Sequence, residues 1–157
     1  NLESLSLVGQ IKGECLSLLR NLKELRLANS YIPDVDLKRL DRNLESLSLG
    51  NCSGITDEGM KYLPEGLVSL SLANIQGLTN KGVALIPRSI RSLSFINIHI
   101  TNGCFAFIPR GVEELVFYCE DLKQCSYGEL PLSIRKLFLL KKTPIALVPK
   151  VVKVKEV

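Results

Sequence analysis

Apolar residues recur along the chain in one string, apolar-x-x-apolar-x-apolar, starting at Leu2, Leu22, Leu44, Leu67, Ile90, Val112 and Ile134. Successive starts are 20, 22, 23, 23, 22 and 22 residues apart. The triplets are Leu2/Leu5/Leu7, Leu22/Leu25/Leu27, Leu44/Leu47/Leu49, Leu67/Leu70/Leu72, Ile90/Leu93/Phe95, Val112/Leu115/Phe117 and Ile134/Leu137/Leu139. All 21 positions are Leu, Ile, Val or Phe. At 46% apolar content, chance gives that roughly once in ten million alignments. Alternation inside each triplet predicts a short strand with one buried face. A worn eighth copy starts at Val152, with Lys155 where the second apolar residue should stand.

Proline marks the same frame independently. Pro64, Pro87, Pro109, Pro131 and Pro149 each lie three residues before the next string. Proline cannot continue a helix and favours an extended residue before it, so it punctuates the return to the strand. Each repeat therefore reads as a strand, a turn, and a helical or 3₁₀ return leg of one or two turns. Thr56-Asp57, Thr79-Asn80 and Thr101-Asn102 are expected to cap those legs. Ile55, Met60 and Leu63, like Leu78, Val83 and Ile86, are spaced to face a shared interior.

The third copy carries Leu44, Leu47, Leu49, Cys52, Ile55, Thr56, Asp57, Gly59 and Met60 at the spacing L-x-x-L-x-L-x-x-C-x-x-I-T-D-x-G-L. This resembles the cysteine-containing subtype of the leucine-rich-repeat family. The cysteine slot holds Ser30, Ile75, Ile98 and Glu120 in other copies. The segments Leu63-Pro64-x-x-Leu67 and Ile86-Pro87-x-x-Ile90 are similar to the repeats of secreted bacterial effectors. The resemblance implies an α/β leucine-rich-repeat right-handed solenoid, a curved horseshoe. A parallel sheet lines its concave face, with short helices or 3₁₀ turns on the convex side. It also implies a protein-binding role; the subtype is associated with substrate-recognition arms of F-box-type ubiquitin ligases and with effectors delivered into a host cytosol. No F-box segment and no ligase domain is present in these residues.

One solenoid domain is expected over 1–157, about seven repeats plus a partial eighth at 152–157, as a piece of a longer chain. An array needs polar caps at its ends, and neither end supplies one. Flanking segments or self-association are expected to cover them, with the 151–157 segment strand-like but unpaired.

Residues alternating with the core triplets should face the concave surface. They are Ser4/Ser6/Val8, Glu24/Arg26/Ala28, Ser46/Ser48/Gly50, Ser69/Ser71/Ala73, Ser92/Ser94/Ile96, Glu114/Val116/Tyr118 and Lys136/Phe138/Leu140. Four copies present serine pairs. The last three present Ile96, Val116, Tyr118, Phe138 and Leu140, an apolar patch rimmed by Arg91, Glu114 and Lys136 among other charges. A contiguous patch of that kind marks an interaction site, and tyrosine is a favoured anchor. Asn29, Asn51, Asn74 and Asn97 recur two residues after each third core position and read as a ladder at the turns.

Charge sharpens the picture of the partner. Residues 1–66 hold 8 basic and 10 acidic groups, net −2, and residues 67–157 hold 12 and 6, net +6. Between Gly66 and Val112 there is no acid, only Lys81, Arg88, Arg91 and Arg110. Such a field favours an acidic protein partner. A nucleic-acid or anionic-membrane binder ranks last, because base-stacking aromatics are not interleaved with the basic residues. Cys15, Cys52, Cys104, Cys119 and Cys125 include no C-x-x-C pair, which points to reduced thiols and a cytoplasmic setting. No catalytic, cofactor or metal site is expected. The serines have no base beside them, His99 stands alone, and Gly9 and Gly13 open no phosphate loop.

Overall fold

In the computed structural model, eight strands form one parallel sheet in strict chain order. They are β1 Ser4–Val8, β2 Glu24–Ala28, β3 Ser46–Gly50, β4 Ser69–Ala73, β5 Ser92–Ile96, β6 Glu114–Tyr118, β7 Lys136–Leu139 and β8 Lys153–Glu156. The residues described are 2–118, except the Asn102 side chain, 129–139, and the backbone of 153–156. Leu140, Glu120, Cys119, Cys125, Lys141 and Pro149 lie outside them.

The register repeats without slippage. Leu25 pairs with Leu47, Leu47 with Leu70, Leu70 with Leu93, Leu93 with Leu115 and Leu115 with Leu137. From Leu22 onward every triplet residue is buried, none more than 3% exposed. A one-residue slip would turn a whole strand's leucines to water, so burial itself holds the register. The first copy differs. Leu5 and Leu7 are only partly covered and Leu2 is 60% exposed, against the expectation that it lies inside. Its rung has a neighbour on one side only. At the other end, where the segment was expected to be unpaired, residues 153–156 form β8, which joins β7 in parallel with Leu137 opposite Val154.

β1 to β7 each start two residues later than their triplet, and in β4 to β7 the first apolar residue closes a turn. The backbone N–H groups of Leu67, Ile90, Val112 and Ile134 donate to the carbonyls of Pro64, Pro87, Pro109 and Pro131 at 3.0–3.3 Å. The proline thus sets the turn's first residue and the leucine its last. Beyond the strands, Asn29, Asn51, Asn74 and Asn97 take φ of 57°, 51°, 54° and 50°, a left-handed conformation that asparagine tolerates best after glycine. Their amides bond in two pairs, Asn51 Nδ2 to Asn29 Oδ1 at 3.0 Å and Asn97 Nδ2 to Asn74 Oδ1 at 2.6 Å.

The return legs are short: six-residue 3₁₀ segments of about two turns each at Gly13–Leu18, Asp34–Arg39, Asp57–Tyr62 and Asn102–Phe107, and the single α-helical turn α1 at Asn80–Val83. Met60, Val83 and Phe105 lie under the sheet fully buried, with Ile55, Leu63, Leu78 and Ile86 around them. Thr56 and Thr79 cap their own turns, accepting from the N–H groups of Glu58 and Lys81. Thr101 makes no such cap; its Oγ1 accepts instead from Asn80 Nδ2 at 2.7 Å. Asp57 and Asn80 do not cap locally either. Each reaches to the next repeat and holds its threonine, as Asp34 holds Thr56. This is a leucine-rich-repeat solenoid: parallel strands on one side, short turns on the other, and one leucine core between.

Candidate interaction surface

The sheet face turned away from the core is three columns wide. The middle rungs carry small side chains in register: Ser46, Ser69 and Ser92 in one column, Ser48, Ser71 and Ser94 in the next, Gly50 and Ala73 in the third. Their hydroxyls are half-buried and, among the described residues, no side-chain base is hydrogen-bonded to them. A serine without a base is not an activated nucleophile. Toward β1 the floor ends in a charged knot on β2. Glu24 Oε1 accepts from Arg26 Nε at 2.8 Å, and its Oε2 accepts from Ser4 Oγ at 3.0 Å. The Arg26 bond first, then Ser4, holds the Glu24 carboxyl below its ordinary pKa.

Toward the other end the floor turns apolar. Val116 sits between Ser94 and Phe138, and Ile96 faces Tyr118. All four side chains are half-buried, because each leans on its cross-strand neighbour. Beside them Glu114 faces Lys136 and forms an ion pair with it, both side chains being open to water. Six of the eight residues singled out from sequence therefore share one area on β5, β6 and β7. Leu140 lies outside the described residues.

Arg91 stands apart from that area. It precedes β5, and its guanidinium packs over Gly111 in a groove of about 780 Å³ at the edge where the strands begin. Arg88, Arg110, Phe107 and Pro109 line the same groove. Its signal in the sequence is positional: Arg88 and Arg110 each follow a turn proline, so they occupy the same place on successive rungs.

A second groove, about 590 Å³, runs along the asparagine corners and includes Asn51, Asn74, Gln76, Asn97 and His99. His99 is exposed there. Among the described residues no three of His, Cys, Asp and Glu converge as a metal site, and no helix is long and apolar enough to cross a membrane. Cys52 fills an inward slot, with its thiol pushed above the ordinary pKa by burial. Ser30, Ile75 and Ile98 are buried at the equivalent slots, so a small or aliphatic side chain serves as well as the cysteine.

No protein-family model and no curated protein matches the chain. Among solved structures, the crystal structure of the leucine-rich repeat-containing protein LegL7 from Legionella pneumophila is similar, at 13% identity and a TM-score of 0.44, over 99% of this chain and 83% of that one.

Proposed function

We propose that this solenoid is a non-catalytic protein-binding module that engages its partner through the β5–β7 end of the open sheet face. The observation that carries the reading is the change of that face from serines to Val116, Phe138, Ile96 and Tyr118, in register and beside the Glu114–Lys136 pair. A helix or loop laid there would finish covering half-buried aromatic and aliphatic groups. That is where binding energy concentrates in protein interfaces. The serine floor next to it has no bulk to hold a partner away from the backbone. The exposed ion pair contributes little affinity and serves to orient the partner.

The test compares two baits, the protein and its Tyr118→Ala/Phe138→Ala variant. A partner recovered with the first is purified, and its affinity for each is measured. The double variant should bind at least about tenfold more weakly with an unchanged thermal midpoint. Equal affinity of the purified partner for both baits would remove this face from the reading.

A further inference from the structure

The groove between turns 87–90 and 109–112 lies outside the open sheet face, and its chemistry is specific. Three arginines, Arg88, Arg91 and Arg110, line it, all exposed, and none has a carboxylate partner among the described residues. Among the described acids, Glu113 pairs with Arg135 at 3.7 Å, and Glu129 lines an adjoining groove that Arg110 also borders. Like charges gathered without counter-charge repel one another, and each guanidinium presents a fork that fits a carboxylate.

The site is also preformed. Arg91 Nη1 donates to the carbonyls of Arg88 at 3.4 Å and Ile90 at 3.2 Å. Its guanidinium rests where a Cβ on residue 111 would lie 2.1 Å from that nitrogen, so only glycine leaves it room. One wall is apolar: Ile86 and Pro109, with Phe107 49% exposed beside them. Charge alone would suit a free anion, but an exposed phenylalanine in the same groove favours a ligand carrying apolar bulk next to its negative charge.

We infer that this groove binds a short acidic peptide segment of a protein partner, carboxylates on the three arginines and an aromatic or aliphatic side chain against Phe107. A volume of about 780 Å³ falls in the range of built ligand pockets. The inference does not depend on the open-face reading, since the two sites share no apolar residue.

The probe is a fluorescein-labelled peptide with the core Glu-Glu-Phe-Glu-Glu, read by anisotropy at near-physiological salt. Amide shifts of the ¹⁵N-labelled protein map where it binds. Shifts should concentrate in 84–91 and 106–111. Arg88→Glu/Arg110→Glu should weaken binding at least about tenfold and Phe107→Ala about fivefold, while Tyr118→Ala/Phe138→Ala leaves it unchanged. Peptides with Gln for every Glu, or Gly for Phe, should bind about tenfold more weakly. Shifts centred elsewhere, or full binding by a folded Arg88→Glu/Arg110→Glu variant, would overturn the site. So would inorganic phosphate competing as well as the peptide, or binding to vesicles of equal phosphatidylserine and phosphatidylcholine with none to the peptide. Should the charge-reversed variant lose its fold, the shift map of the unaltered protein decides.

Discussion

The Asp57 carboxylate takes both polar groups of Thr79 on the next rung: Oδ1 accepts from the Thr79 backbone N–H at 2.7 Å and Oδ2 from its hydroxyl at 2.6 Å. The same Oδ1 also accepts from the Gly82 N–H at 2.9 Å. Asp34 grips Thr56 in the same way. In the next rung Asn80 replaces the acid, with Oδ1 accepting from Thr101 N–H at 2.9 Å while Nδ2 donates to the Thr101 hydroxyl. The return legs are thus stitched by side chains where the strands are stitched by backbone.

Removing the clamp leaves the Thr79 backbone N–H without its acceptor, while the Gly82 N–H keeps the Thr79 carbonyl at 3.1 Å. Asp57→Ala should cost about 2 kcal/mol in urea unfolding. Asp57→Asn should cost about 0.5 kcal/mol or less, because the threonine hydroxyl can turn to accept, as it does from Asn80. Equal losses for the two variants would show that the carboxylate's charge, rather than its acceptor geometry, holds the rungs.

The glycine of the next turn makes the notch the acid enters. A Cβ on Gly82 would lie 2.4 Å from Asp57 Oδ1, and one on Gly59 would lie 2.3 Å from Asp34 Oδ1. Gly82→Ala should destabilise by about 1–3 kcal/mol. Part of that loss should vanish in the Asp57→Ala background, a coupling that a double-mutant cycle reads directly.

Phe117 meets two rings edge-on, Phe95 at 6.0 Å and Phe105 at 5.2 Å between centroids. It is fully buried, with leucine at the same position in the middle rungs. Phe117→Ala should cost about 3–5 kcal/mol and Phe117→Leu about 1–2, measured as shifts in the unfolding midpoint.

Leu47, Leu70 and Leu93 could be placed from sequence because their order reports one physical fact, which face of a strand is dry. Pro64 and Pro87 were equally legible, since a missing N–H has few positions to occupy. From its residue type Asp57 reads as a local cap, yet it bonds Thr79 on the next rung. Its residue type fits any nearby N–H, and nothing in a linear sequence says that Thr79 is nearer than its own turn. The open-face positions from Ile96 to Phe138 followed from the same alternation as the core. The Arg88–Arg110 groove does not, because charge along the chain does not report proximity, which rung spacing sets.

Acid should loosen the turn held by Asp41. Asp41 accepts backbone N–H bonds from Asn43 and Asn21, both at 2.9 Å, and these hold its carboxyl below the ordinary value of 3.8. A carboxyl depressed in the folded state contributes fully above its unfolded value, and the contribution is lost as pH falls through the folded one. Stability should therefore drop below about pH 4, and Asp41→Asn should flatten that limb of a urea-midpoint profile.

The thiols should separate by burial. Cys15 is exposed, whereas Cys52 is 2% exposed and its thiol is raised by desolvation. Iodoacetamide followed by peptide mass analysis should find Cys15 alkylated at least about a hundredfold faster than Cys52 in the native protein. Denaturant should erase the difference.

At the first rung the two halves of the clamp have changed places: a Cβ on Gly13 would lie 2.2 Å from the Asp36 carboxylate, which also accepts from Arg39 Nε at 2.8 Å. Acid and notch must therefore be inherited as a matched set across a boundary. Excising the third turn would seat Asp34 against Gly82, a pairing like those already present. Excising the second would set Gly13 against Gly59, two empty slots with nothing to fill them. Among the described rungs, the junction of Gly13 with Asp36 is the one where a duplicated turn would have to bring both sides of the joint.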